Sequence, residues 1–340
     1  MLKTLKRAAL RTAQGAGAFH IAVGSRWRRR RLLILCYHGI SLDDEHEWNP
    51  ELYMPPSLFE QRLALLKRNG CRVLPLAEAI QRLYDRSLPP NSVAITFDDG
   101  NHDFHAKAFP LLNAYGFPAT VYITTWYSEH NEPVFDPASY YLLWKARGRI
   151  LDGRRFGLPD QLDLRTPGAL ERARWTMLGH AAGMEGGAKN ELLQCLAAAV
   201  GFDYAELGRK RLLHLMPPAE IRELAAAGVD FQLHTHRHRT PLDRGLFIRE
   251  IRDNRDRIRA LTGRDPTHFC YPSGVHKPEF LPWLAEESVV SATTCEPGLS
   301  SPDSSPLLLP RLVDHCGLSS VEFEGWLCGC SGFLPRRSFR

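Results

Sequence analysis

Apolar and polar positions follow one another in a regular order over much of the chain. Short apolar runs at 32–37 and 93–97 are typical of strands that are buried on both faces of a sheet. Between and after these runs, apolar residues recur at helical spacing, most clearly at 56–70, 76–86 and 104–115. We expect this alternation of strands and helices to form an α/β domain with a parallel sheet and crossover helices.

The alternation stops between about residues 126 and 215. Helical patterns occur at 140–146 and 190–200, but stretches rich in Gly, Arg and Pro separate them and no strong strand pattern is present. We interpret this segment as a mostly helical insertion over the sheet. The regular pattern then returns, with a predicted helix at 246–261 and predicted strands at 229–233, 267–271 and 289–294.

The predicted organisation has three parts. A basic N-terminal arm occupies residues 1–31, the α/β domain with its insertion occupies 32–330, and a C-terminal tail occupies 331–340. The composition, with 44% hydrophobic and 24% charged residues, is that of an ordinary globular protein. No apolar run approaches the ~18–20 residues that a membrane-spanning helix requires.

Positive charge is concentrated in the arm. Residues 1–31 contain nine lysines and arginines and no acidic residue, whereas the remaining residues contain 34 basic and 38 acidic ones. Because the domain has neither a basic stripe nor a recognisable binding motif, we expect no nucleic-acid partner. Two interpretations of the arm stay open. It attaches peripherally to an anionic membrane surface through its charges and thin apolar face, or it is a solvated, flexible segment.

Cysteine usage and the N-terminal sequence bear on the compartment. The eight cysteines are scattered and none forms a Cys-x-x-Cys pair, which is typical of a reducing compartment rather than of a disulfide framework. The arm lacks the apolar stretch and the small-residue cleavage site of a secretory signal. We therefore expect a cytoplasmic protein, peripheral on the cytoplasmic face of the inner membrane if the arm is an anchor.

A pair of carboxylates follows one predicted strand. Asp98 and Asp99 come directly after the run at 93–97, and Gly100 allows a sharp turn there. Two adjacent carboxylates repel each other unless a cation or a shared proton relieves them. Taken alone, the pair has an alternative interpretation as a turn rich in Asp.

A histidine cluster follows another predicted strand. Residues 234–238 read His-Thr-His-Arg-His and come directly after the run at 229–233. Histidines four residues apart, such as His234 and His238, lie on the same side of a helical turn and can reach one metal ion. A carboxylate plus two histidines leaves coordination positions for water and substrate, which is typical of a catalytic centre. Taken alone, the histidines have an alternative interpretation as a solvated polar turn.

These two clusters carry a family resemblance. The segments 96–100, Thr-Phe-Asp-Asp-Gly, and 234–238 resemble the first two motifs of the polysaccharide deacetylase family, also called carbohydrate esterase family 4 or the NodB homology domain. The resemblance spans residues 32–125 and 216–320 and implies an irregular (β/α)7 barrel. Its implied catalytic base is Asp98. Its implied ligands for a divalent metal ion, most often zinc, are Asp99, His234 and His238.

The sequence departs from the family pattern in its third and fourth motifs. The third motif usually begins with an arginine that orients the base, but the matching stretch at 270–274 reads Cys-Tyr-Pro-Ser-Gly. A Tyr-Pro-small-Gly turn resembles the branch of exopolysaccharide and poly-N-acetylglucosamine deacetylases. By that resemblance, the implied substrate-binding residues are Tyr271, Pro272 and Ser273. The fourth motif, a Trp segment rich in Asp, is not found.

The general acid has two candidates. The family's last motif is an apolar strand that ends in histidine, and residues 312–315 fit it poorly because Asp314 interrupts the apolar run before His315. The run at 32–37 followed by His38 fits well, and in the resembling branch the motif order is circularly permuted. His38 is the implied general acid, with His315 or a structural role for both histidines as alternatives.

The resemblance implies a hydrolase that removes N-acetyl groups from amino sugars of a bacterial exopolysaccharide, capsule or related glycan. Its expected partner is an N-acetylated oligo- or polysaccharide. One alternative is a deacylase or deformylase that acts on another small or lipid-linked N-acylated sugar. A second is a catalytically inactive, carbohydrate-binding barrel, and the intact set of Asp98, Asp99, His234 and His238 speaks against it.

Overall fold

A parallel sheet that curves into a barrel forms the centre of the molecule. The computed structural model describes residues 2–158 and 160–334. Its strands are β1 (Leu33–Tyr37), β2 (Gly39–Ile40), β3 (Tyr53–Met54), β4 (Arg72–Val73), β5 (Ser92–Phe97), β6 (Thr120–Ile123), β7 (Ile150–Asp152), β8 (Gln161–Asp163), β9 (Asp230–Leu233), β10 (His268–Cys270), β11 (Ser291–Thr293) and β12 (Leu312–Val313).

Helices cover the outside of the barrel and build the segments around it. They are α1 (Leu2–Gly15), α2 (Ala18–Gly24), α3 (Arg26–Arg29), α4 (Glu45–Trp48), α5 (Pro56–Arg68), α6 (Leu76–Tyr84), α7 (Phe109–Tyr115), α8 (Phe135–Lys145), α9 (Pro167–Ala181), α10 (Gly186–Val200), α11 (Tyr204–Lys210), α12 (Pro218–Ala226), α13 (Arg244–Thr262), α14 (Phe280–Glu286) and α15 (Ser320–Leu327). A π-helical turn, Phe104–Ala108, leads into α7.

Seven parallel strands follow one another around the barrel in the order β11, β10, β9, β6, β5, β1 and β12, and β4 adds a short strand beside the start of β5. Leu309 forms a parallel bridge with Thr293 of β11, and β12 pairs with β1. The segment 309–313 thus connects the two edges of the sheet. The expected irregular (β/α)7 barrel is confirmed.

Burial on both faces explains the apolar runs in the sequence. Every residue of β1 and β5 is buried. On the helix side, Phe59, Leu63 and Leu66 of α5 pack in the same core as Leu35 and Ile95 of these strands. The helical spacing of α5 follows from this contact, because residues three and four apart lie on one face of a helix.

The segment 126–215 contains α8 to α11 and the antiparallel strand pair β7 and β8. It is the main part of a second hydrophobic cluster, in which Tyr141, Leu142, Met177 and Leu196 are buried and which Trp48 and Tyr53 join. The sequence does not predict the strand pair, because each strand buries one residue out of three and so gives no periodic signal.

The basic arm folds as α1 to α3 and packs against α15. Leu10 is buried, and Arg7 pairs with Glu322 at 2.8 Å. Arg28 is fully buried, and its guanidinium donates to the carbonyls of Leu327 at 2.6 Å and Ser92 at 3.3 Å. The interpretation of the arm as a solvated, flexible segment is therefore wrong, because several of its side chains belong to the packed body. Membrane attachment stays a prediction.

The last described residues of the chain contact this arm. The ring of Phe333 lies 4.8 Å from the ring of Trp27, measured between centroids. Of the C-terminal tail that we expect at 331–340, residues 335–340 lie outside the described part of the chain. No described helix is long and apolar enough to cross a membrane.

Candidate active site

The predicted site residues follow three strands at one end of the barrel. His38 follows β1, Asp98 and Asp99 follow β5, and His234 follows β9. Strand β5 lies between β1 and β6, and β6 pairs with β9. Because the carboxyl ends of parallel strands lie at the same rim of a barrel, the fold brings these side chains together.

The turn after β5 separates its two carboxylates. Asp99 and Gly100 have φ angles of 70° and 85°, in the left-handed region. A Cβ atom on Gly100 would lie 2.6 Å from Cγ1 of Ile123, so only glycine fits this turn without displacing its neighbour. The side chain of Asp98 is 3% exposed and that of Asp99 is 27% exposed. The two carboxylates therefore occupy different environments.

Asp99, His234 and His238 form one cluster. Nε2 of each histidine lies 3.2 Å from Oδ1 of Asp99. The prediction of a helical turn over 234–238 is wrong, because the segment is a loop in which Thr235 and His238 have φ angles of 61° and 54°. These two left-handed residues, rather than helical spacing, bring the imidazole rings to 4.9 Å between centroids.

This cluster has the donor set of a divalent metal site. Nδ1 of His234 donates to the carbonyl of Cys270 at 2.9 Å, which leaves the lone pair of Nε2 facing Asp99 in the neutral tautomer. A lone pair and a carboxylate oxygen repel each other at such a distance unless a proton or a cation lies between them. Two imidazoles and one carboxylate suit zinc and similar divalent ions. The residues present therefore fit a metal ion.

The pKa shifts within the cluster point in the same direction. Burial alone would raise the pKa of Asp99, but the contacts with His234 and His238 outweigh burial and hold it well below its usual range. Burial lowers the pKa of His238, but Asp99 outweighs it and raises that pKa. Both shifts mean that the cluster favours positive charge next to the Asp99 carboxylate.

Asp98 is held by an arginine. Arg311, the residue before β12, is fully buried, and its Nη1 and Nη2 each donate to one carboxylate oxygen of Asp98 at 2.7 Å. The thiols of Cys36 and Cys270 lie 3.5 and 3.3 Å from Oδ2. Burial would raise the pKa of Asp98, but the Arg311 guanidinium outweighs it and lowers that pKa below its usual range. Asp98 is therefore ionised and fixed in orientation.

His38 lies beside Asp98. Its Nε2 is 3.9 Å from Oδ2 of Asp98, and its side chain is 16% exposed. His315, the alternative candidate, accepts a hydrogen bond at Nδ1 from the backbone N–H of Gly317 at 3.1 Å. The structure thus brings His38 into the neighbourhood of the base, and its role as general acid stays a prediction.

The three residues predicted to bind substrate differ in accessibility. Tyr271 is fully buried, and its hydroxyl donates to the carbonyl of Leu307 at 3.0 Å. The prediction that Tyr271 contacts substrate is therefore wrong, because its ring and hydroxyl are used inside the barrel wall. Pro272 is also buried, whereas Ser273 is exposed and has a φ angle of 55°. For Ser273 the substrate contact stays a prediction.

Comparison with known proteins adds the family. The sequence profile described as polysaccharide deacetylase matches residues 85–287, a segment that contains Asp98, Asp99, His234 and His238. The chain belongs to the polysaccharide deacetylase family. Members of this family are hydrolases that act on N-acetyl amide bonds of glycans.

Curated relatives match a short part of this chain. It is 36% identical over 94 residues to the putative polysaccharide deacetylase YxkH of Bacillus subtilis (strain 168), which covers 27% of this chain and 32% of that protein. It is 27% identical over 95 residues to the poly-beta-1,6-N-acetyl-D-glucosamine N-deacetylase of Escherichia coli (strain K12), which covers 27% of this chain and 14% of that protein. The matches thus span a third or less of these relatives.

A solved structure extends the likeness of the fold. The Streptococcus pyogenes deacetylase PplD in complex with acetate superimposes with a TM-score of 0.57 at 20% sequence identity, over 86% of this chain and 96% of that chain. At this identity the likeness concerns the fold, and it agrees with the barrel described above.

Arg311 is a site residue that the sequence does not reveal. The family's third motif supplies its arginine at the position where this chain has Cys270. The Cys270 thiol lies 3.0 Å from Nη2 of Arg311, so the guanidinium reaches the carboxylate from a different strand. Two features of the sequence could have indicated Arg311. A buried carboxylate such as Asp98 requires a cationic partner, and Arg311 directly precedes the apolar strand at 312–313.

A cleft of about 940 Å³ lies beside the histidine loop at 234–238. Three parts of the chain form its walls. They are the segment after β6 that contains Trp126, the start of α10, and the side chains of Arg237 and Arg239. The backbone N–H of Trp126 donates to the carbonyl of His236 at 2.8 Å, so this wall is attached to the loop. Both arginines pair with the buried Glu250, at 3.1 and 2.7 Å, which offsets part of their charge.

Proposed function

We propose that this deacetylase uses a divalent metal ion, most readily zinc, to remove N-acetyl groups from an exopolysaccharide of the poly-N-acetylglucosamine type. The observation that carries the proposal is the convergence of Asp99, His234 and His238 next to an ionised, immobilised Asp98. The name of the Escherichia coli relative supports this class of substrate. The cleft beside the loop supports a substrate of several sugars rather than one.

The roles of the protein groups follow from their positions. Asp99, His234 and His238 would hold the divalent metal ion, which when bound would supply Lewis acidity toward the acetyl carbonyl and an attacking water. Asp98 accepts the proton of that water, because it is ionised and Arg311 keeps it from rotating away. His38 donates a proton to the leaving amine nitrogen. The products are acetate and a sugar with a free amine.

Metal content and acetate release test the proposal together. The wild-type protein should release acetate from N-acetylglucosamine oligomers and lose this activity on chelation. Asp99→Ala should lose both the metal ion of this site and turnover, because two histidines leave too few ligands. Asp98→Asn should keep the metal ion and lose turnover.

Two results would contradict the proposal. Equal loss of metal from Asp98→Asn and Asp99→Ala would show that the roles of the two aspartates are assigned wrongly. Release of formate from N-formylated sugars, with N-acetylated sugars untouched, would favour the alternative of a deformylase that acts on another N-acylated sugar.

We further propose that the N-terminal helices attach the protein to the cytoplasmic face of a membrane. The side chains of Leu5 and Ile21 are 59% and 74% exposed in spite of their apolar character. Four basic residues of the same N-terminal segment are exposed as well: Arg11, Arg26, Arg29 and Arg30. Apolar and cationic groups on one small unit support contact with anionic lipid.

A further inference from the structure

A second group of metal-ligating side chains lies outside the candidate catalytic centre. One donor atom from each of His102, His105 and Glu220 lies within 4.8 Å of the other two. Nδ1 of His102 is 2.9 Å from Oε2 of Glu220. Nε2 of His105 is 3.3 Å from Oε2 of Glu223, which brings a second carboxylate to the edge of the group. None of these residues belongs to the cluster of Asp99.

Local structure explains why these side chains converge. His102 and His105 are three residues apart at the start of the helix that contains the π-helical turn, so their imidazoles lie on one face. Glu220 and Glu223 have the same spacing in α12. The two helix starts are held together by the backbone, because the N–H of His102 donates to the carbonyl of His214 at 2.9 Å.

The surroundings separate this group from ordinary surface ion pairs. The side chains of His102 and Glu220 are 13% and 15% exposed, so both are withdrawn from bulk water. Arg211 is the nearby competing cation, with Nε 3.9 Å from Oε1 of Glu220. Its other nitrogens donate to Asn131 at 2.8 Å and to the carbonyl of Leu215 at 3.0 Å. The guanidinium therefore does not occupy the side of the Glu220 carboxylate that faces the imidazoles.

We propose that His102, His105 and Glu220 hold a second divalent metal ion of the zinc type, with Glu223 as a fourth ligand. Two imidazoles and two carboxylates satisfy a tetrahedral ion with protein groups alone, which is typical of a structural site. The ion links the segment after Asp98 and Asp99 to α12. It thereby fixes the turn that carries both carboxylates, through His102, which is three positions from Asp99.

Zinc stoichiometry tests this site. Chelator-treated protein is titrated with ZnCl2, and bound zinc is measured by mass spectrometry after gel filtration. Wild-type protein should bind two zinc ions per chain, and His105→Ala and Asp99→Ala should each bind one. The double variant should bind none. His20→Ala, which removes an exposed histidine of α2, is the matched control and should bind two.

The outcomes distinguish the two metal sites. Wild-type protein that binds one zinc ion, lost in Asp99→Ala, overturns the second site and leaves the proposed function intact. Loss of zinc in His105→Ala with full retention in Asp99→Ala supports the second site and contradicts the proposed catalytic centre. If His105→Ala does not fold, Glu223→Gln replaces it, since Glu223 is largely exposed. That variant should weaken the second zinc roughly tenfold or more, and unchanged affinity overturns the site.

Discussion

Asp98 shows how one buried residue combines two opposing demands. The catalytic base that we propose for this residue has to be ionised, yet burial opposes ionisation of a carboxylate. Arg311 resolves this conflict with two charge-assisted hydrogen bonds of 2.7 Å. Because the pKa of Asp98 is lower in the folded chain than in the unfolded one, its ionised form stabilises the fold above the unfolded pKa of about 3.9. This contribution is lost as the pH falls below that value.

Replacing Arg311 by Gln should expose the effect of burial on Asp98. Without the guanidinium, burial raises the pKa of Asp98, so the acid limb of kcat/KM should move to higher pH than in the wild-type enzyme. Removing one partner of a buried ion pair should also cost about 3–5 kcal/mol of stability. Arg311→Lys, which keeps the charge, is the control and should shift the limb less. An unchanged acid limb in a folded Arg311→Gln protein would show that Asp98 is not the base.

His38 gives a second prediction at this scale. If it protonates the leaving amine, His38→Asn should leave metal content unchanged and lower kcat by roughly 10²–10⁴, the range for a lost general acid. The alkaline limb of kcat/KM should disappear, because that limb reports the acid. His315→Asn is the comparison and should change little. A large loss of kcat in His315→Asn with a small loss in His38→Asn would show that the chain follows the ordinary motif order of the family.

Individual residues differ in how far the sequence reveals them. Asp98 and Asp99 stand out because two adjacent charges after an apolar strand are unusual, and the partner histidines stand out because they are clustered. Arg311 does not stand out, because its partner lies 213 positions away and the barrel closure that joins them is not a local property. Tyr271 misleads for a related reason, since the sequence does not show that its ring faces the barrel wall.

Strands and helices with a clear period are the elements that the sequence predicts. The buried strands β1 and β5 and the helix α5 lie within a few residues of the expected bounds. The loop at 234–238, with left-handed conformations at Thr235 and His238, is not predicted, because no local pattern specifies it and its backbone contacts distant residues of the folded chain. Glu250 of α13 is such a contact, as it accepts from the backbone N–H of Arg237 at 2.8 Å.

The cleft beside this loop lies between the barrel and the insertion, so we expect it to bind the part of a long substrate that extends beyond the reacting sugar. Trp126 lines the cleft between the barrel and the insertion, where a flat ring suits the apolar face of a sugar. Trp126→Ala should raise KM for long N-acetylglucosamine oligomers roughly tenfold, or about 1.4 kcal/mol of binding, with kcat unchanged. KM for a dimer should change little. Trp175→Ala, on α9 and 61% exposed, is the control. Equal effects on long and short substrates would contradict a role of the cleft.

The N-terminal helices are packed into the body of the molecule, which their basic composition does not show. In the sequence, the nine basic residues are typical of a solvent-exposed segment, but Arg28 is fully buried and Arg7 pairs with Glu322 of α15. A truncation of residues 2–31 would therefore remove packed side chains together with the surface charges. A test of membrane binding has to change exposed residues and leave the packed ones in place.

A charge-neutralised variant satisfies this requirement. Replacing Arg26, Arg29 and Arg30 by Gln removes three exposed charges, each worth about 1 kcal/mol near an anionic membrane. The variant should sediment with phosphatidylserine vesicles much less than the wild-type protein at low salt, while acetate release from soluble oligomers stays the same. Arg165→Gln, in the insertion and exposed, is the control for loss of charge elsewhere. Added salt should weaken wild-type binding, because it screens surface charges beyond a Debye length of about 10 Å at 0.1 M. Wild-type protein that ignores such vesicles at low salt would show that the exposed charges of the N-terminal helices have no membrane partner.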